Sequence, residues 1–310
     1  MKILVTGGAG FIASHVVDAY IKNGHQVIIV DSLITGRKSN LNPKATFYEI
    51  DIRSPELEMV FEKEKPEIVN HHAAQMDVRK SVADPKYDAD INVVGSLNLL
   101  ELARKHGVKR VIYSSSGGTV YGEPEYLPCD EKHPIMPICP YGATKYIFEV
   151  YLQMYKFMYG MDYTVFRYPN VYGPRQDPHG EAGVVAIFTG QMCKNQPVII
   201  NGDGKQQRDY VYVGDVATAN LLAVEKQKDS NIFNLGSSVP TDVNQIFETL
   251  QKIIGYPFPA SHGPAKLGET RRIYLSARHI HDELGWSPSV SLEEGLRATV
   301  EFFLTKEAVV

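Results

Sequence analysis

The stretch Lys2-Ile3-Leu4-Val5-Thr6-Gly7-Gly8-Ala9-Gly10-Phe11-Ile12-Ala13 decides how the chain is read. Lys2–Thr6 is a short, β-prone apolar run, and the glycines follow it directly. Residues 14–23 carry helical spacing, with Val16, Val17, Tyr20 and Ile21 on one side and Gly24 as a stop. A second apolar run, residues 26–30, ends at Asp31. Strand, glycine turn, helix, strand and acid in this order make a dinucleotide fingerprint credible. Gly7 permits the tight turn, Gly10 lets the backbone approach a pyrophosphate, and Ala13 is small enough for the helix to pack on the strand. The helix N-terminus adds N–H donors and positive partial charge. Asp31 can accept both hydroxyls of an adenosine ribose and would repel a 2′-phosphate. Ser32 and Leu33 offer no cation to offset that, so NAD is expected over NADP. Arg37 and Lys38 are the nearby cations that weigh the other way.

The alternation continues outward from this unit. Residues 46–50 read as a strand ending at Asp51 and Ile52, 56–65 as a helix, and 67–71 as a strand. Residues 91–106 follow as a helix closed by Gly107, and 109–114 as the next strand. The fold class expected is α/β, a Rossmann-type doubly wound parallel sheet. Ligands in such sheets sit at the carboxyl ends of the strands, which places Asp51, Ala73, Ala74 and the serines Ser114, Ser115 and Ser116 near one crevice. Asp51 and Ile52 suit an adenine edge, and Asp51 would serve equally as an N-cap. His71 and His72 are adjacent, so on a strand they point to opposite faces and do not form a metal pair.

With 310 residues and 44% apolar content the chain can bury a large core, and its length suggests two domains. A formal charge of -4 argues against a general nucleic-acid binder. No apolar run approaches the roughly 20 residues of a membrane span, and the start of the chain has no signal-peptide pattern. Three cysteines, Cys129, Cys139 and Cys193, are an odd number without close metal spacing. Idle thiols in a reducing cytoplasm, and no metal, are expected.

Tyr141 and Lys145 stand four apart in Tyr-Gly-Ala-Thr-Lys. On a helix they share a face, so an ammonium can stand near the phenol and lower its pKa from about 10. By itself the spacing is common, and it also describes an exposed helical pair.

Together with longer motifs, the chain resembles the extended short-chain dehydrogenase/reductase family, and within it enzymes of the UDP-glucose 4-epimerase type. The resemblance rests on Gly7-x-x-Gly10-x-x-Ala13, Ala73-Ala74-Gln75, and the run from Ser114 through Gly117-Gly118-Thr119-Val120-Tyr121-Gly122. It extends through Tyr141-x-x-x-Lys145, Arg167-Tyr168-Pro169-Asn170-Val171-Tyr172-Gly173-Pro174-Arg175, and Arg208-Asp209-Tyr210-Val211-Tyr212-Val213-Gly214-Asp215-Val216. It implies an NAD-dependent isomerase in which Tyr141 takes the proton of a sugar 4-hydroxyl. Lys145 would hold the nicotinamide ribose and depress the tyrosine pKa, and a serine would hydrogen-bond the sugar O4. Ser116, directly before the glycines, is the serine chosen, with Ser115 the alternative. The loop here is one residue longer than the commonest family form. Implied cofactor contacts are Gly7, Gly10, Phe11, Ile12, Asp31, Asp51, Ile52, Ala73, Ala74, Gln75, Asn92, Ser114, Tyr141, Lys145 and Tyr168.

Past Arg167 the pattern is punctuated by proline and glycine, as expected of a smaller, interleaved α/β substrate-binding domain. The division expected is residues 1–168 with about 209–236 for NAD, and 169–208 with 237–310 for a UDP-sugar. Asn170, Val184, Arg208 and Arg271 resemble substrate contacts, the arginines suiting a diphosphate. The other readings are an ion pair of Arg208 with Asp209 or Asp215, and a solvated pair of Arg271 with Arg272. Asp215 is expected to cap a helix, and residues 234–236 to return a strand to the main sheet. Two positions depart from the family pattern: Ser276 stands where Asp is usual, and His72 where an apolar residue is usual. Ile273, near the position that limits room for a 2-N-acetyl group, suggests a plain hexose.

Relatives that eliminate water carry acids before the Tyr-Gly pair, where this chain has Gly118, Thr119 and Val120. No Glu for decarboxylation and no Cys for 3,5-epimerisation lies in that loop. UDP-glucose/UDP-galactose interconversion is therefore the activity implied, with UDP-N-acetylglucosamine or UDP-glucuronate as alternative substrates and a catalytically silent NAD-bound regulator as the competing class. The resemblance also implies a homodimer through residues 91–106 and 145–159, with Tyr146, Phe148, Tyr151 and Met154 either at its interface or in the core.

Overall fold

The computed structural model describes residues 1–179, 183–226, 229–265 and 270–307. Its first half runs β1 (Lys2–Thr6), α1 (Phe11–Lys22), β2 (Gln26–Asp31), β3 (Thr46–Glu49), α2 (Leu57–Glu64) and β4 (Ile68–His71). Two short helices, α3 (Val78–Ala83) and α4 (Pro85–Ala89), lead into a π-helical turn, Asp90–Gly95, and α5 (Ser96–Lys105). Then come β5 (Arg110–Ser116), the long α6 (Pro140–Tyr159) and β6 (Asp162–Tyr168).

The second half holds β7 (Asn170–Tyr172), α7 (Val184–Cys193), β8 (Ile199–Asn201), β9 (Gln207–Arg208) and β10 (Tyr210–Tyr212). It continues through α8 (Val213–Glu225), β11 (Asn231–Asn234), β12 (Thr241–Asp242), α9 (Val243–Ile254) and β13 (Ser261–Gly263). β14 (Arg272–Ile273), α10 (Arg278–Leu284) and α11 (Leu292–Glu307) complete it.

The main sheet has seven strands in the order β11-β6-β5-β4-β1-β2-β3, every pair parallel. The crossover between β1-β2-β3 and β4-β5-β6 lies at β1, so the β1–β4 boundary is the switch point where such sheets bind ligands. The period of two explains how the sheet is covered on both faces. Ile3, Val5, Val27 and Ile29 join the cluster under α1 and α8, while Leu4, Ile28 and Val30 join the one under α2, α5 and α6. A third cluster, built by α7, α9 and α11, forms the core of the smaller lobe.

Several elements differ from expectation for local reasons. β5 runs on to Ser116, because Ser115 and Ser116 pair with Arg167 and Tyr168 of β6. The helix expected over 91–106 begins instead as a π turn, which turns the Asn92 amide inward. Asp215 is not the N-cap of α8, where Tyr212 stands. Its carboxylate instead accepts from Ser289 and Val290 and its carbonyl from the Trp286 indole, tying down the C-terminal segment. Ile280, Leu284 and Trp286, expected with the smaller lobe, pack on the sheet cluster.

Candidate active site

The β1–α1 turn builds a cradle of backbone. Gly7 has φ +70 and its N–H donates to Val30 O at 2.8 Å; a Cβ here would stand 2.8 Å from Ala73 N. A Cβ on Gly10, the N-cap of α1, would stand 3.0 Å from Gly7 O. A pyrophosphate needs this kind of close backbone approach at a helix N-terminus. At the end of β2, Asp31 accepts from Ala9 N at 3.0 Å and Leu33 N at 2.8 Å, and burial raises its pKa against those two bonds. A buried carboxylate beside the glycine loop, short of polar partners, is a fitting seat for ribose hydroxyls. Arg37 and Lys38, the cations that could favour a 2′-phosphate, are engaged elsewhere, with Asp177 at 2.6 Å and Glu49 at 3.1 Å.

Other expected cofactor contacts ring this cradle. Phe11 and Ile12 open α1, and Ala73, Ala74 and Gln75 follow β4. Asp51 is held by Arg53, which pulls its pKa down, and Ile52 is buried beside it. Asn92 brackets Gln75, accepting from its N–H at 2.8 Å and donating to its carbonyl at 2.9 Å. Ser114 donates to His71 O at 3.1 Å. The Tyr168 hydroxyl lies in a buried polar network, receiving the Asn220 amide at 2.9 Å and meeting His72 Nε2 at 3.1 Å. The departure at His72 thus has a polar partner, one that also stacks on it.

At the N-terminal end of α6 the Ser116 hydroxyl stands near the partly buried Tyr141 phenol and favours its ionised form. Ser115 is turned away to Glu149, 2.5 Å distant, on the Arg167 pair. Of the two serines, geometry brings only Ser116 to the tyrosine. Lys145 is 3% exposed, with Nζ 6.0 Å from the Tyr141 ring centre and 4.6 Å from that of Tyr113. The expected lowering of the tyrosine pKa is reversed. Burial, then the Asp88 carboxylate, push it up, and the nearby Ser116 hydroxyl only partly offsets them. The lysine bears the opposite cost: burial drives it down to about 7, against the raising influence of Asp88 and Glu149.

Beyond Ser116, a narrow cleft is lined by Gly117, Gly118, Pro169, Asn170, Arg208, Asp209, Ile273 and Leu275. Asn170, Arg208 and Ile273 are thus brought together beside the glycines that follow Ser116. Arg208 and Ile273 are register partners in β9 and β14. Asp209, one of the two alternative ion-pair partners for Arg208, is a buried carboxylate that accepts from Ser237, Ser238 and Leu275. Arg271 lies outside the lining, held at 2.9 Å by both oxygens of Asp203 on the surface. Val184 is the first residue of α7 and packs against the small-lobe core. Among the described residues no His, Cys, Asp or Glu cluster is placed to hold a metal ion.

Buried polar residues of the site to which the sequence reading gave no role are Asp88, Thr144, Glu149 and Arg167. Asp88 receives Gln75 Nε2 at 2.8 Å, Asn92 Nδ2 at 3.1 Å and Thr144 Oγ1 at 2.7 Å. Arg167 and Glu149 form a bidentate buried pair. Their signal was present as spacings of four, Asp88 to Asn92 and Lys145 to Glu149, within helical segments.

Comparison with known proteins agrees with this geometry. The family model described as "NAD dependent epimerase/dehydratase family" matches residues 3–236. The UDP-glucose 4-epimerase of Mycolicibacterium smegmatis is 43% identical over 99% of both chains. The crystal structure of UDP-glucose 4-epimerase with UDP-glucose from Thermotoga maritima is 51% identical with a TM-score of 0.97, covering 99% of this chain and all of that one. The Thermus thermophilus UDP-glucose 4-epimerase complex with NAD is 41% identical with a TM-score of 0.93, covering 98% of this chain and 99% of that one. With a glycine cradle, a ribose acid and a Tyr-Lys-Ser set all at the carboxyl ends of the sheet strands, this chain belongs to the NAD-dependent epimerase/dehydratase family, and NAD is its cofactor.

Proposed function

We propose that the chain is a UDP-hexose 4-epimerase, interconverting UDP-glucose and UDP-galactose. The observation that carries this reading is the closeness of Ser116 to the Tyr141 phenol, next to Gly117 and Gly118, which line the Arg208 cleft. Bound NAD would supply the hydride acceptor, and later the donor, for C4 of the sugar. Tyr141 exchanges a proton with the 4-hydroxyl, and Ser116 bonds the same oxygen and the phenol, a relay of the kind that contributes about 10²- to 10⁴-fold. Lys145 would hold the nicotinamide ribose; Asp31 would hold the adenosine ribose. Arg208 and Asn170 would grip the diphosphate end, leaving the 4-keto sugar room to present its other face. With Gly118, Thr119 and Val120 where an eliminating acid would stand, the proton Tyr141 takes is the one it returns. Val184 and Arg271 would close over the nucleotide, Arg271 after leaving Asp203.

The test is to incubate the protein separately with UDP-glucose, UDP-N-acetylglucosamine and UDP-glucuronate and resolve the C4 epimers. Interconversion of UDP-glucose is expected, and Tyr141→Phe is expected to keep NAD and lose turnover. Bound NAD without interconversion of any of the three would sink the reading.

Homodimer formation is part of the same proposal. Ile147, Val150, Met154, Phe157 and Met158 form an exposed stripe along α6, with Phe157 92% exposed. Such a stripe is unusual on a monomer. Phe148, one of the residues left open between interface and core, lies fully in the core against Tyr113 and His71. Its helix face points to the sheet. The free thiols fit a reducing cytoplasm, and no described helix is long and apolar enough to cross a membrane.

A further inference from the structure

Lys145 is a buried cation whose charge is favoured by two buried carboxylates, Asp88 and Glu149, and the two are not equivalent. Glu149 is already matched: Arg167 grips both its oxygens at 2.6 to 3.2 Å, and Ser115 adds a third donor. Asp88 is fully buried and is held by neutral donors from three separate segments. These are Gln75 after β4, Asn92 in the π turn, and Thr144 on α6. A carboxylate shielded from water and satisfied only by neutral groups keeps most of its field for the nearest buried cation. Thr144 makes the link mechanical as well, because it directly precedes Lys145 and its hydroxyl also reaches Tyr141 O at 3.1 Å.

We propose that Asp88 is the counter-charge that keeps Lys145 protonated and, through Thr144, fixes the α6 turn carrying Tyr141 and Lys145. It is a positioning residue, and the proposal rests on the epimerase reading only for its kinetic consequence. The other groups facing Lys145 do not substitute for it. From the end of β4 and the residue after it come His71 and His72, both held neutral by burial and by Lys145 itself. From β5 comes the Tyr113 ring, and from α6 come Tyr141 and the engaged Glu149. Cys139, beside Tyr141, has its thiol pKa raised by burial and stays neutral.

Asp88→Asn tests this without breaking the network. Its carbonyl can still accept from Gln75 and Asn92, and the Thr144 hydroxyl can turn to accept from the new amide. Thr144→Val is the companion variant, removing a hydrogen bond without removing charge. The Lys145 side-chain nitrogen is titrated by NMR in NAD-stripped protein, with Lys145→Arg assigning its signal, and kcat is followed against pH. Asp88→Asn is expected to move the lysine midpoint down by about one pH unit or more, and to move the alkaline fall of kcat with it. Thr144→Val is expected to lower kcat and leave both midpoints in place. A lysine midpoint unchanged in Asp88→Asn, or a kcat loss equal at every pH, overturns the proposal. If the wild type interconverts no nucleotide sugar while the lysine midpoint still moves, the epimerase reading fails and the counter-charge survives.

Discussion

A lysine 3% exposed carries a charge where water cannot help it, and the consequence is a measurable dependence of stability on pH. Burial lowers the folded-state pKa of Lys145 to about 7, below its ordinary value of 10.5. Between those values the unfolded chain binds the extra proton, so stability rises with pH. The contribution is fully present above the unfolded value and is lost as pH falls through the folded one. In NAD-stripped protein, Lys145→Met should therefore gain most over the wild type at about pH 6. The gap should close by roughly 1.4 kcal/mol for each pH unit crossed from about 7 to 10. Urea midpoints across that range measure it, and parallel profiles for the two proteins would contradict a buried, titrating Lys145. Tyr141 reports the same environment from the other sign, its acid form favoured by burial. Spacing alone points the other way, because it describes where a cation can stand and not how much water either group has lost.

At the scale of elements, the β1–α1 turn depends on backbone meeting backbone. A side chain on Gly7 would need a left-handed conformation and would also press on Ala73 N, which cannot yield as a flexible side chain would. Gly7→Ala should therefore weaken NAD retention about tenfold or more, from a left-handed penalty of about 1–2 kcal/mol before the clash is counted. The rate of NAD release on dilution is the measurement, and an unchanged rate would remove this turn from the cofactor site. The strand, glycine turn, helix and strand were legible because each follows from neighbours within a few residues. The π turn at Asp90–Gly95 was not. It answers to the demand that Asn92 face Gln75 and Thr144, 17 and 52 residues away in the chain.

For the whole molecule, interleaving decides where the core continues. β11 returns to the main sheet beside β6, and α8 packs on α1. Trp286, the single tryptophan, closes that cluster from near the C-terminus. Sheet and lobe are thus tied by contacts that cross nearly the full length of the chain. Among the described residues α6 leaves an apolar stripe uncovered, and association through it is testable without touching the site. Phe157→Glu places a charge at its most exposed aromatic and should shift the protein from dimer to monomer by sedimentation, with NAD retained. A wild type that sediments as a monomer at micromolar concentration would remove the dimer proposal.

What the amino-acid order determined by itself was local: the period-two strands, the glycine turn, the acid at the end of β2, and a tyrosine and lysine on one helical face. These depend on backbone preference and spacing over a few residues, which every conformation of the chain shares. Only the tertiary structure decided which serine meets Tyr141, because Ser115 is claimed by Glu149, 34 residues away. It also decided the direction of both pKa shifts and the presence of Asp88 behind Lys145, since hydration and charge are properties of what surrounds a side chain. Arg271 marks the same boundary. Its guanidinium suits a diphosphate by chemistry, yet the fold hands it to Asp203.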